Sequence, residues 1–197
     1  KISEVCSNAK TLRQEDLKKS GIVLGDSHAL SAWRTDAYLC RNDGQTLNGA
    51  INRGFDSWTK RFTLDPDCKP FFLRTYFGNI DIRHHVCRLA STPEDQKELT
   101  LDLVRRYIAE LQSWQQRNDV ELIEVVASLP IENESRKLPK TGYFKGQPFW
   151  GSWKERDDVH KIFDEALILE CQKNGFAFIA WPDHFTNEAG ELDFLYM

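Results

Sequence analysis

Gly21-Ile22-Val23-Leu24-Gly25-Asp26-Ser27-His28-Ala29-Leu30 decides how the rest of the chain is read. A short apolar run ends in Gly-Asp-Ser, and a helix-compatible segment follows at once. A buried first strand delivers a serine in this way to the carboxyl edge of a sheet, where open α/β sheets hold their ligands. On a tight strand-to-helix turn the serine hydroxyl is exposed, and the helix start offers backbone N–H donors to an oxyanion. The plainer reading is that Asp26 or Ser27 caps the helix that follows. The tripeptide alone supports both.

Outward from this stretch the chain alternates between two periodicities. Ala29 to Leu39 predicts a first helix, with Leu30, Trp33, Ala37 and Tyr38 on one face. Arg41-Asn42-Asp43-Gly44 is a turn. Thr46 to Ile51 predicts a short second strand, leading into a glycine-bearing loop at Asn52-Arg53-Gly54. Phe55 to Phe62 is a weak helix ended by Asp65-Pro66-Asp67. Pro70 to Phe77 is the strongest strand pattern, and Thr92-Pro93-Glu94-Asp95 starts a helix that runs to about Arg117. Val120 to Leu129 predicts another buried strand. A second strong helix carries Val159, Ile162, Phe163, Ala166, Leu167 and Leu169, and Lys173-Asn174-Gly175 closes it. Phe176 to Trp181 is a last strand. Strands alternating with helices predict an α/β fold with a mainly parallel sheet covered on both faces.

At 197 residues the chain reads as one domain, with residues 1–20 as an N-terminal extension and 130–153 as an insertion or lid. Tyr143, Phe144, Phe149, Trp150 and Trp153 lie in that Gly/Pro-rich insertion. They suit a lid or a platform for sugar rings, and equally a flap burying its own rings. The 26 basic residues are outnumbered by 30 acidic ones, so no nucleic-acid partner is signalled. The five cysteines are scattered without a CxxC pair, which predicts reduced thiols and a cytoplasmic setting. No apolar run reaches transmembrane length, so no membrane partner is expected. The chain opens on Lys1 rather than Met, which leaves room for residues before it.

Three blocks now fall in order: Gly25-Asp26-Ser27, a glycine-bearing loop after the second strand, and Gly78-Asn79-Ile80-Asp81 after the next central strand. Together they resemble the SGNH (GDSL-type) hydrolase superfamily of esterases, lipases, thioesterases and carbohydrate deacetylases. Gly-Asp-Ser-His with a later Gly-x-Ile-Asp-x-Arg-x-His looks like a branch found near glycan-modifying enzymes. The resemblance implies a flavodoxin-like three-layer sandwich, with Ser27 as nucleophile. Ser27 N–H, Gly49 (less well Gly54) and Asn79 would serve as oxyanion donors. The family pattern is Gly-x-Asn-Asp, whereas here Ile80 stands at the asparagine position and Asn79 comes one residue earlier. The family also places its base histidine in a C-terminal Asp-x-x-His, and here Asp183 and His184 are adjacent. Either the base lies just beyond Met197, or His184 works with another acid.

The richest polar cluster is Asp81-Ile82-Arg83-His84-His85. Read as an extended segment, it puts Asp81, Arg83 and His85 on one face, looking towards Ser27. Arg83 would bind an anionic substrate group and His85 would supply acid–base chemistry. The structural alternative is an ion pair of Asp81 with Arg83 or His28. Asp26, His28 and Trp150 complete the candidate substrate contacts. Asp26, His28, Asp81, His84 and His85 are also good metal ligands. Gly-Asp-x-His opens the calcineurin-like phosphoesterase pattern, but that family's later blocks are missing.

The expected function is therefore a serine esterase or acyltransferase acting on a small polar or glycan ester, with no cofactor or metal. A degenerate binding module is the first alternative and a metal-dependent phosphoesterase the second. The acyl group, acceptor and oligomeric state are left open.

Overall fold

A computed structural model describes residues 21–63, 70–133, 145–146 and 149–193. Five strands make one wholly parallel sheet: β1 (Gly21–Gly25), β2 (Ala37–Arg41), β3 (Phe72–Tyr76), β4 (Leu122–Val126) and β5 (Ala177–Ile179). Their order is β2-β1-β3-β4-β5. This is the flavodoxin-like order, in which the chain leaves β1 to one side and returns at β3 on the other. The α/β class with a flavodoxin-like parallel sheet is as expected.

Alternation along each strand sorts the side chains between two faces. Ile22, Leu24, Leu73, Ile123 and Val125 share one large core with Leu103, Tyr107, Leu111 and Trp114 of one long helix and Phe163 and Leu167 of another. Those helices are Pro93–Asn118 and Trp153–Asn174. The first begins with Thr92 accepting from Asp95 N, and the second with a reciprocal cap between Ser152 and Glu155. No helix among the described residues is long and apolar enough to cross a membrane.

The opposite face carries Val23 and Phe72, with Tyr76 and Val126 beyond them, against Ala29 and Ala32 of the segment after β1. Arg74 and Glu124 meet there at 2.6 Å as directly registered neighbours on β3 and β4. Arg34 reaches Glu124 at 3.3 Å, and Arg74 donates to Ala32 O. A charged cluster thus fastens the segment that follows Ser27 down onto the sheet.

Three local expectations need correcting. The helix from Ala29 to Leu39 is instead a 3-10 turn, Ser27–Leu30, then a turn-rich loop at 31–36 and β2. Leu30 and Trp33, assigned to a core face, are 54% and 41% exposed. The strand at Thr46–Ile51 is helix α1 (Leu47–Arg53), because Thr46 caps Gly49 N–H and a distant carboxylate, Asp81, accepts from Leu47 N and Asn48 N. Captured N–H groups at a helix start outweigh β propensity. Third, the segment after Gly78, from Asn79 to Leu89, is helical, not extended. Asn79–Asp81, a π-helical Ile82–Val86 and Cys87–Leu89 follow one another, and we label them together α3.

The weak helix is present as α2 (Asp56–Thr63), and the long helices become α4 (Pro93–Asn118) and α5 (Trp153–Asn174). Tyr143 and Phe144 of the insertion, Cys6 and Cys68, and residues 1–20 lie outside the described residues. Cys40, Cys87 and Cys171 are unbridged. Burial pushes the Cys87 thiol up to about 11 and the Cys171 thiol up to about 12. Neither is a ready thiolate nucleophile.

Candidate functional site at the β1–β3 switch point

The carboxyl ends of β1 and β3 are where successive connections diverge, the place where open parallel sheets bind ligands. Two glycines let the backbone make these exits. A Cβ on Gly25 would stand 2.4 Å from Tyr76 O, so only glycine lets β1 turn away this close to β3. Gly78 has φ 110°, and a Cβ there would meet the Phe163 ring at 2.5 Å.

Asp26 is fully buried and caps the 3-10 turn: its Oδ1 accepts from His28 N at 2.8 Å. Its Oδ2 is buried and has no hydrogen-bond partner among the described residues. Ser27 is half-buried at the head of the turn, with Oγ 3.4 Å from His28 Nδ1. The same Nδ1 lies 3.4 Å from Asp26 Oδ1. Asp26, Ser27 and His28 thus form a local cluster made by one tight turn.

Behind it stands Tyr76, a residue sequence reasoning passed over. Its ring lies 6.1 Å from that of His28, and its hydroxyl accepts from Leu129 N. Burial first, then the Asp26 carboxylate, holds the Tyr76 hydroxyl well above its ordinary pKa. From Tyr76 the aromatic contacts run on through Trp181 and Phe185 to His184. His184 thus lies at the far end of this run of rings, exposed on a 3-10 turn, and makes no hydrogen bond to Ser27.

Helical geometry turns Arg83 away from Asp81 and His85, which an extended segment would have aligned with it. Asp81 turns to α1, accepting from Leu47 N at 2.6 Å and Asn48 N at 3.1 Å. Burial outweighs these donors and raises its carboxyl to about 6. Arg83 is buried, with Nε 2.8 Å from Glu132 Oε1 and Nη1 donating to Asn79 Oδ1. Its ion-pair partner is thus Glu132, not Asp81. Asn79 Nδ2 donates to Leu129 O, so this amide ties α3 to the end of β4. Gly49 N–H is taken by Thr46 Oγ1. His85 faces a separate cavity below α1 and α4 and is not within hydrogen-bonding distance of Ser27. Trp150 is 41% exposed, and its backbone N–H donates to Arg83 O.

The rim continues beside β4. His160 Nε2 lies 3.2 Å from Ser128 O and 3.5 Å from Asp164, whose other oxygen accepts from Ser128 N. The i,i+4 spacing of His160 and Asp164 on a predicted helix was the available signal for this pair. Among the described residues no three His, Cys, Asp or Glu side chains gather as a metal site. Asp26, His28, Asp81, His84 and His85 form no such group.

No protein-family model matches the chain, and no curated protein matches it. Solved structures do. A gut microbial diltiazem-metabolizing enzyme is similar at 16% identity and a TM-score of 0.46, over 84% of this chain and 37% of that one. The chain thus spans little more than a third of that enzyme's length. An extracellular lipase from Streptomyces rimosus is similar at 14% identity and a TM-score of 0.41, over 83% of this chain and 80% of the lipase.

Proposed function

We propose that the chain is a serine-dependent ester hydrolase or acyltransferase whose nucleophile is Ser27. The single observation that carries this reading is the serine's position. It heads a tight turn at the switch point of a parallel sheet, with an imidazole nitrogen 3.4 Å from its hydroxyl.

Ser27 Oγ attacks the ester carbonyl carbon while its proton passes to His28 Nδ1. The imidazolium so formed has its new N–H beside Asp26 Oδ1, so the buried carboxylate stabilises the charge as it develops. The Ser27 backbone N–H, first in the turn, donates to the oxyanion. Collapse expels the alcohol, which takes the proton back from His28. Water or an acceptor hydroxyl then releases the acyl group by the reverse steps. The 3.4 Å separation is longer than a working hydrogen bond, as ligand-free catalytic pairs often are. Trp150, 41% exposed, is a candidate platform for a sugar ring and favours a polar ester carried on one.

A non-catalytic binding module is the second reading. The Gly49 N–H is already bonded to Thr46 and the Asn79 amide to Leu129, which leaves fewer donors for an oxyanion. A fluorophosphonate label separates the two. The enzyme reading expects a single adduct by intact mass that disappears in Ser27→Ala. No adduct on the wild-type protein favours the binding module.

A further inference from the structure

We infer that the cavity enclosed by α1, α3 and α4 is a binding site for a small amphiphilic oxyanion, a carboxylate or phosphate monoester carrying a short apolar chain. The cavity holds about 300 Å³, at the lower end of small-molecule sites. Its two walls differ in kind. Val86, Leu99 and Leu103 make an apolar wall. Asn48, His85, Arg88 and Arg106 face it with polar groups.

The two guanidinium groups give the site its ligand chemistry. Arg88 donates to His84 O and to His85 Nδ1, and among the described residues it meets no carboxylate. Arg106 donates to Asn48 Oδ1 and Asn52 Oδ1, while Asp102 stands 3.8 Å away. Arg88 is thus held by neutral acceptors, and Arg106 by two neutral acceptors with Asp102 as a longer ion-pair partner. Neutral acceptors orient a guanidinium without neutralising it, which leaves Arg88 above all able to pair with an incoming oxyanion.

His85 is part of the same construction. Arginine only donates, so the bond from Arg88 requires a lone pair on His85 Nδ1 and puts the neutral ring's proton on Nε2. Burial first, and the Arg88 charge second, lower the His85 pKa and keep the ring neutral at pH 7. A neutral imidazole leaves Arg88 as the charged partner for the ligand. Asp81, the one carboxylate lining the cavity among the described residues, has both oxygens occupied by α1 backbone N–H groups. The oxyanion would lie between Arg88 and Arg106, with its chain along Val86, Leu99 and Leu103. Neither Ser27 nor His28 lines this cavity, so the inference does not depend on the esterase reading.

The test is an NMR titration of the full chain at low ionic strength, following the His85 ring signals, which a His85→Gln protein identifies. Hexanoate, hexyl phosphate and hexanol are the probes. Saturable shifts with hexanoate or hexyl phosphate, but not with hexanol, are expected, and the tighter of the two shows which oxyanion the site prefers. Arg88→Met and Arg106→Met should each weaken binding about tenfold or more. Arg105→Met, on the same helix but outside the cavity, should leave it unchanged. Hexanol binding as tightly as the oxyanions would overturn the inference. So would failure of all three probes to bind, or equal binding by folded Arg88→Met and Arg106→Met proteins.

Discussion

His28 shows how much one side chain can decide. A single nitrogen, Nδ1, lies 3.4 Å from both the Ser27 hydroxyl and the Asp26 carboxylate. In the proposed mechanism this nitrogen takes the serine proton. His28→Ala should therefore lower kcat by about 10²–10⁴ with KM little changed. A variant with wild-type kcat would give the base role to another group. Asp81 makes a second prediction at this scale. Its carboxyl sits at about 6 in the folded chain, above its ordinary 3.8. Because the folded value is raised, the stability linked to this group is full below pH 4 and is lost as pH rises through 6. The excess stability of wild type over Asp81→Asn, taken from urea midpoints, should therefore shrink by up to about 3 kcal/mol between pH 4 and pH 7.5. A difference that stays flat with pH would contradict the burial argument.

Among the elements, α3 departs furthest from its sequence. Gly78-Asn79-Ile80-Asp81-Ile82-Arg83 follows a strong strand and has no cap or amphipathic run long enough to announce a helix. What makes it helical is tertiary: Gly78 turns the backbone at φ 110°, and Ile82 and Val86 drop into the main core. Arg83 then finds Glu132, 49 residues further on, a pairing no local pattern could reveal. The second strand and α1 were misread for related reasons. β2 is an edge strand with only Ala37 and Cys40 buried, so its alternation is weak. The start of α1 is completed by Asp81, 34 residues from Leu47 in sequence. By contrast β1, β3, α4 and α5 were legible, because fully buried strands and well-capped long helices carry their signals locally. Gly78→Ala tests the α3 argument. It adds a left-handed strain of about 1–3 kcal/mol to a clash with Phe163. The melting temperature should drop by roughly 2–4 °C for each kcal/mol, and Phe163→Leu should recover part of the loss by making room. A Gly78→Ala protein as stable as wild type would show that the exit from β3 is not constrained as described.

At the scale of the whole molecule, the parallel order β2-β1-β3-β4-β5 fixes where chemistry can occur. The sheet sends its connections apart between β1 and β3, and Ser27 stands at that gap on a turn that Ala29, Ala32 and the Arg34–Glu124–Arg74 cluster hold to the sheet. The placing of Ser27 at the carboxyl end of β1 was legible from the apolar run that ends in Gly25-Asp26-Ser27. Its surroundings were not, since Tyr76, Leu129, Trp181 and Glu132 reach the rim from three other segments. The extended reading of Asp81, Arg83 and His85 failed because a helix turns Arg83 away into a buried ion pair and leaves Asp81 and His85 on the cavity beside α1 and α4. The most direct measurement is hydrolysis of a panel of acetylated sugars and p-nitrophenyl acetate by wild type and Ser27→Ala. We predict measurable turnover by the wild-type protein and a loss of at least about 10³-fold in Ser27→Ala, whose melting temperature stays unchanged. Equal turnover by the two proteins would contradict the account.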